Sequence, residues 1–263
     1  MKNEQLLLRI QNIQKYYGSN NNNIVKALDD ISFDVNEGEF LGIMGASGAG
    51  KTTLLNCIST IDSVSAGNII LKGEEVTALK NKMLARFRRK NLGFIFQDFS
   101  LLDNLTIYDN IALALTINSV PTTEIKGRVE KIAQQLGIYD ILQHYPYEVS
   151  GGQKQRCACA RAIINHPKLV LADEPTGALD SHSSQMLLET MSDMNKKLNT
   201  TFIMVTHDVF SASYAKRVIF LKDGKIYIQL QKGEKDRREF FNEILDVIAL
   251  LGGERKYVST INE

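Results

Sequence analysis

Residues 6–15 alternate apolar and polar positions and predict an opening strand, which Tyr16-Tyr17-Gly18 ends. Residues 19–23 are polar and include four consecutive asparagines, which predicts a loop. Residues 25–35 read as one or two strands, with Asn36-Glu37-Gly38 as the following turn. The unbroken apolar run Phe40 to Met44 has the length and composition of a buried strand. A helix is predicted over 51–59, a strand over 67–71, a turn at Lys72-Gly73-Glu74, a basic amphipathic helix over 79–90 and a buried strand over 92–96.

From residue 98 the pattern changes. Leu101, Leu102, Leu105, Ile107, Ile111, Leu113 and Leu115 recur at helical spacing. Residues 122–137 predict a second helix, with Thr122 or Thr123 as its N-cap and Gly137 as its stop. Residues 98–165 are therefore expected to form a helical subdomain inserted between strands. After Lys168 strands over 169–172, 201–205 and 217–221 alternate with a helix over 181–198, and a further strand is predicted over 224–230. Such alternation implies a parallel-rich sheet with helices on its faces. A final amphipathic helix over 235–250 carries Phe240, Phe241, Ile244, Leu245, Ile248 and Leu251 on one apolar face, and Gly252-Gly253 opens a polar tail.

Composition narrows the class. With 263 residues and 44% hydrophobic content the chain fits one large domain, or one domain with a subdomain and an appendage. Its 31 basic and 30 acidic residues leave a net charge of +1, which points to neither nucleic acid nor an anionic membrane surface. No apolar stretch is long enough to span a bilayer, and residues 1–9 lack a signal-peptide layout. The expectation is a soluble chain whose membrane role would need a partner chain. Cys57, Cys157 and Cys159 make an odd count without zinc-knuckle spacing, which predicts three small core residues in a reducing cytoplasm. Likewise His144, His166 and His182 carry no motif and are expected at the surface.

The chemistry is concentrated at Gly45-Ala46-Ser47-Gly48-Ala49-Gly50-Lys51-Thr52, with Thr53 following. This matches G-x-x-x-x-G-K-[ST], placed between a strand and a helix. Its glycines let backbone N–H groups turn onto a phosphate, and the helix starting near Lys51 points its positive dipole end there. Lys51 can then reach the β- and γ-phosphates, and the Thr52 hydroxyl can ligate Mg²⁺. The strand over 169–172 delivers Asp173 and Glu174 at its end. Beside such a loop, Asp173 can hold Mg²⁺ and Glu174 can polarise the attacking water.

Val149-Ser150-Gly151-Gly152-Gln153, followed by Gln155-Arg156 and Ala160-Arg161-Ala162, closely resembles the signature sequence of ABC-transporter ATPases, usually written L-S-G-G-Q. The resemblance covers residues 5–230 and keeps the family's nucleotide motifs in order, with Val149 for leucine as the one departure. It implies an α/β fold of the P-loop NTPase, ABC ATPase type: a RecA-like, parallel-rich core with an N-terminal antiparallel β-subdomain and an inserted helical subdomain. The ATP-binding domain would be 1–230, with 98–165 inserted and 231–263 a helical extension and tail. Tyr17 matches the aromatic that stacks on adenine, and Gln97 the glutamine that senses the γ-phosphate and Mg²⁺. Gly177-Ala178-Leu179-Asp180 matches the D-loop, and His207 the switch histidine.

The resemblance also implies stoichiometry. In this family Ser150, Gly151, Gly152 and Gln153 act on the nucleotide held by the other subunit, so two copies would pair head to tail around two ATP molecules. An integral-membrane permease is the implied second partner, with the chain on the cytoplasmic face of the membrane and no nucleic acid involved. The apolar face of the final helix is expected to dock on its own domain, with its edge near the dimer axis. Phe94-Ile95-Phe96-Gln97 and Glu174 to Asp180 resemble the branch serving macrolide efflux, lipoprotein release and antimicrobial-peptide resistance. The tail from Gln229 to Arg237 through Phe241 looks closest to the bacitracin-resistance type. Lipoprotein release or macrolide efflux is the alternative. A non-transport ABC ATPase would need long coiled-coil insertions or two such domains in one chain, and neither is visible.

Overall fold

The structure, a computed structural model, describes residues 5–18 and 24–252; the asparagine run and the tail from Gly253 lie outside them. Strands β1 (Leu6–Tyr17), β2 (Val25–Asn36), β4 (Ala66–Leu71) and β5 (Glu74–Glu75) form an antiparallel sheet ordered β2-β1-β4-β5. The central sheet contains β3 (Phe40–Gly45), β6 (Leu92–Ile95), β7 (Leu169–Asp173), β8 (Phe202–Val205), β9 (Arg217–Lys222) and β10 (Lys225–Gln231), in the order β10-β9-β3-β8-β7-β6. Its pairings are parallel except for the edge hairpin of β9 with β10.

The helices are α1 (Lys51–Ile58), α2 (Asn81–Asn91), α3 (Ile107–Ile117), α4 (Thr122–Gln135), α5 (Gly151–Ile163), α6 (Ser181–Leu198), α7 (Val209–Ala212) and α8 (Arg237–Gly252). Three of them, α3, α4 and α5, lie between β6 and β7 in the chain.

Alternation along the parallel strands builds two cores. Phe40, Met44, Val170, Ala172, Phe202, Met204, Val218 and Phe220 face a core shared with α3 to α6 and α8. Leu41, Ile43, Leu169, Leu171, Ile203, Val205, Ile219 and Leu221 face a second core shared with β1, β2, β4 and α1. Strands buried on both faces read as unbroken apolar runs, which explains their legibility.

Two details depart from the sequence expectation, and the docking of the last helix agrees with it. The spacing of Leu101, Leu102 and Leu105 does not make helix: α3 starts only at Ile107, capped by the Thr106 side chain. Phe99 and Ser100 take left-handed backbone conformations, with φ of 62° and 46°, which no helix could continue through. Helix α4 begins at Thr122 after Pro121, whose fixed φ sets its entry, and neither Thr122 nor Thr123 is the cap. The final helix docks on its own chain. Phe240, Ile244 and Val247 are buried in the core it shares with α7, and Arg237 stacks on Phe210 and Tyr214.

Candidate active site

Adjacent parallel strands β3, β8, β7 and β6 all release their chains at one edge of the sheet, where α/β proteins gather ligands. From β3 comes the glycine loop, from β8 His207, from β7 Asp173 and Glu174, and from β6 Gln97.

The loop passes from Gly45 to α1, with Gly50 as a left-handed N-cap at φ 98°. A Cβ at Gly50 would stand 2.5 Å from the Ala27 carbonyl oxygen, and one at Gly45 2.4 Å from that of Leu221. Only glycine fits either position. Ala46, Ser47 and Gly48 are exposed at the rim, while Ala49 is buried against the second core. Lys51 Nζ donates to the carbonyls of Gly45 (2.8 Å) and Ala46 (3.0 Å), so the ammonium lies over the loop at the N-terminus of α1, where helix N–H groups favour an anion.

Asp173 ends β7 with one oxygen, Oδ1, buried and without a partner. Burial, then the neighbouring Glu174 charge, pushes its carboxyl above the ordinary aspartate range; Lys51 and the Thr52 hydroxyl pull the other way. An orphaned carboxylate oxygen beside a hydroxyl is a hard-oxygen donor set that fits Mg²⁺, which usually takes few protein ligands and completes its shell with phosphate and water. Among the described residues no group of three or more His, Cys, Asp or Glu could hold a metal without such help.

Glu174 is held in the left-handed region at φ 46°, its N–H donating to Val205 O at 2.9 Å. Its Oε2 pairs with His207 Nδ1 at 2.9 Å. The histidine is largely open to solvent and the carboxylate largely buried. Gln97 packs its amide against Gly177, where a Cβ would sit 2.9 Å from Nε2. Lys51, Thr52, Asp173, Glu174, His207 and Gln97 therefore belong to one edge of one sheet.

The signature residues face elsewhere. Ser150 caps α5 and forms a reciprocal box with Gln153: Ser150 N–H donates to Gln153 Oε1 at 2.9 Å, and Gln153 N–H to Ser150 Oγ at 3.3 Å. Gly152 lies so close to α6 that a Cβ would meet Ser183 Oγ at 2.8 Å, and Gly151 approaches Phe99 and Leu179. Asp180 caps α6, its carboxylate accepting from Ser183 N–H (2.9 Å) and Oγ (2.8 Å), which lowers its pKa. The first turn of α5 thus presents free N–H donors on a scaffold fixed by α6.

Tyr17 ends β1, 41% exposed, with its hydroxyl donating to Asp62. Sequence reasoning gave no role to Asp62, Lys15, Gln155 or Arg161. Gln155 is fully buried and bridges the carbonyls of Phe96 (3.2 Å) and Pro175 (2.7 Å). Arg161 donates to the carbonyls of Ser100 (2.6 Å) and Phe99 (3.1 Å), clamping the left-handed turn that follows Gln97. The residues so joined are tens of positions apart, and only the unusual Gln and Arg on an otherwise apolar helix face hinted at them. The remaining sequence expectations are simple: all three cysteines are buried and unpaired, and His144, His166 and His182 are exposed.

Residues 28–177 match the family model described as ABC transporter. The chain is 51% identical over 249 residues to the bacitracin export ATP-binding protein BceA of Halalkalibacterium halodurans, covering 94% of this chain and 97% of that protein. It is 40% identical over 220 residues to the lipoprotein-releasing system ATP-binding protein LolD of Bacteroides thetaiotaomicron, covering 84% of this chain and 99% of that one. Among solved structures, the dimeric ATP-binding cassette MJ0796, in a post-hydrolysis state bound to ADP and Pi, superposes with a TM-score of 0.78 at 33% identity over 86% of this chain and 98% of that one. The fold, the single sheet edge that gathers the phosphate loop with Asp173, Glu174 and His207, and these similarities lead to one assignment: this chain belongs to the ABC transporter family.

Proposed function

We infer that the chain is the ATP-binding and ATP-hydrolysing subunit of a bacterial ABC transporter that confers resistance to antimicrobial peptides of the bacitracin kind. The observation that carries the ATPase reading is the sheet edge itself, where Lys51 and Thr52 share one site with Asp173, Glu174, His207 and Gln97. The peptide reading rests on the extension. An alignment over 249 of 263 residues has to enter 231–252, whereas the 220-residue alignment to the lipoprotein-releasing relative need not. We divide the chain accordingly into an ATP-binding domain, 1–230, with 98–165 as its helical insertion, and an extension, 231–263.

The geometry and the family resemblance support the following roles. Residues Gly45 to Thr53 cradle the phosphates, and Lys51 exchanges the Gly45 and Ala46 carbonyls for β- and γ-phosphate oxygens. Thr52 and Asp173, with Gln97, would hold Mg²⁺, which supplies neutralisation of phosphate charge. Glu174 orients the attacking water, and His207, paired to it, turns toward the γ-phosphate. Tyr17 takes the adenine. The Ser150 hydroxyl and the N–H groups of Gly151 and Gly152, with Gln153 completing the cap, close the site of a second copy. The D-loop residue Asp180 holds that surface in place. Most of the acceleration is then positioning and charge stabilisation. The chain works beside an integral-membrane permease on the cytoplasmic face; no helix among the described residues is long and apolar enough to cross a membrane.

The test is ATPase activity of the chain purified with its permease and reconstituted in vesicles. Hydrolysis that rises on adding bacitracin is expected. Stimulation by a macrolide or a lipoprotein instead would support the second reading, which the 40% identity to LolD favours. No hydrolysis at all would overturn both.

A further inference from the structure

Tyr17 is the one residue assigned to the chain's own nucleotide that does not come from the sheet edge, and its neighbours hold it unusually well for an exposed side chain. Its hydroxyl donates to Asp62 Oδ2 at 2.6 Å. The other oxygen of that carboxylate accepts from Lys15 Nζ at 2.5 Å and from the Ser63 N–H at 2.8 Å. Lys15 is only 7% exposed and also donates to Ser63 O at 2.7 Å. The same ammonium lies over the Tyr17 ring, 4.8 Å from its centroid. Asp62 stands in the turn directly after α1, with its N–H on Asn56 O. The lock therefore ties the end of β1 to the turn that follows the helix beginning at the phosphate loop.

We propose that Lys15 and Asp62 are positioning residues that set Tyr17 as the platform for the purine base, with the Lys15 ammonium on one face of the ring and the base on the other. The proposal rests on the nucleotide reading above. An exposed tyrosine with a free hydroxyl samples several rotamers, and each rotamer that cannot stack lowers apparent affinity by the fraction it occupies. A charge-assisted hydrogen bond to a carboxylate that is itself fixed at its second oxygen removes that freedom. The hydroxyl is correspondingly harder to ionise, chiefly through the Asp62 bond. A cation against one face draws on the π density of the ring and occupies that side, so the purine meets the opposite face. Because the lock is anchored on α1, the spacing from base platform to phosphate cradle is fixed before the nucleotide arrives.

The test uses the full chain and a fluorescent N-methylanthraniloyl ATP. Dissociation constants are measured without magnesium for the parent, Tyr17→Phe, Asp62→Asn, the pair of both, and Lys51→Ala, with the melting temperature of each. Tyr17→Phe keeps the stacking ring and loses only its anchor. Each single variant of the lock is expected to bind about three- to tenfold more weakly. The pair should bind no more weakly than either single variant, since both remove the same hydrogen bond. For Asp62→Asn the loss should fall on KM for ATP more than on kcat. Unchanged dissociation constants in both single variants would overturn the proposal. So would losses that multiply in the pair and track a fall in melting temperature, because these mark a purely structural tie. Binding by the parent that Lys51→Ala abolishes keeps the nucleotide reading standing whichever way the lock variants fall. A parent that binds no ATP analogue overturns the reading and the proposal together.

Discussion

At the scale of single residues, burial decides what each group can do. Burial pushes the Cys57 thiol up to about 11 and those of Cys157 and Cys159 to about 12. A thiol held neutral by the fold gives a definite sign. In the unfolded chain it ionises near its ordinary value of 9.0, so stability is unaffected below about pH 9 and falls as pH rises from there toward the folded values. The expected outcome is a denaturant midpoint that is flat from pH 7 to 8.5 and declines above it, with thiol alkylation at pH 8 slow until the chain is unfolded. Rapid native-state alkylation of any of the three would contradict the burial account. The residues legible in the sequence are those whose chemistry is local: Gly45 to Thr52 is a continuous loop, and Asp173-Glu174 ends one strand. Lys15 and Asp62 were not legible, because their pairing spans 47 positions and neither belongs to a motif.

Among elements, the long two-sided strands and α6, Ser181–Leu198, were readable from pattern alone, since burial on both faces or a sustained period leaves a plain trace. The stretch before α3 was misleading for a physical reason. Leu101 is apolar because it packs against the core from a loop, and Arg161 rather than a helical ladder holds the turn at Phe99 and Ser100. Helix α8 was readable as an apolar stripe, but the surface it covers was not, since the stripe carries no information about its partner. Phe240 is fully buried there. Phe240→Ala should destabilise the fold by about 3–5 kcal/mol, read as a lowered urea midpoint with unchanged slope. A change below 1 kcal/mol would mean that α8 contributes little to the domain.

For the whole molecule, the two cores set a division of labour. The core under β1 and β2 steadies the phosphate loop and α1, while the core under α3 to α6 carries the signature helix. Arg161 straps that helix to Phe99 and Ser100 in the segment after Gln97, and Gln155 ties it to Phe96 just before, so a push on this segment reaches α5 directly. Leu102 lies in that segment and is 44% exposed, beside half-buried Phe99 and Leu101. Such an apolar patch suits a short helix of the permease. Leu102→Asp is therefore expected to reduce co-purification of the permease at least fivefold while the chain's own ATPase persists; undiminished co-purification would place the contact elsewhere.

Two copies are proposed to close around ATP, with Glu174 then driving its hydrolysis. Glu174→Gln keeps the size of the side chain and removes the carboxylate proposed to orient water. Light scattering of this variant, with and without MgATP, measures the claim most directly. The account predicts a nucleotide-free monomer that becomes a stable dimer with one unhydrolysed ATP per chain. A variant that stays monomeric in saturating MgATP, or that turns ATP over at the parent's rate, would contradict it.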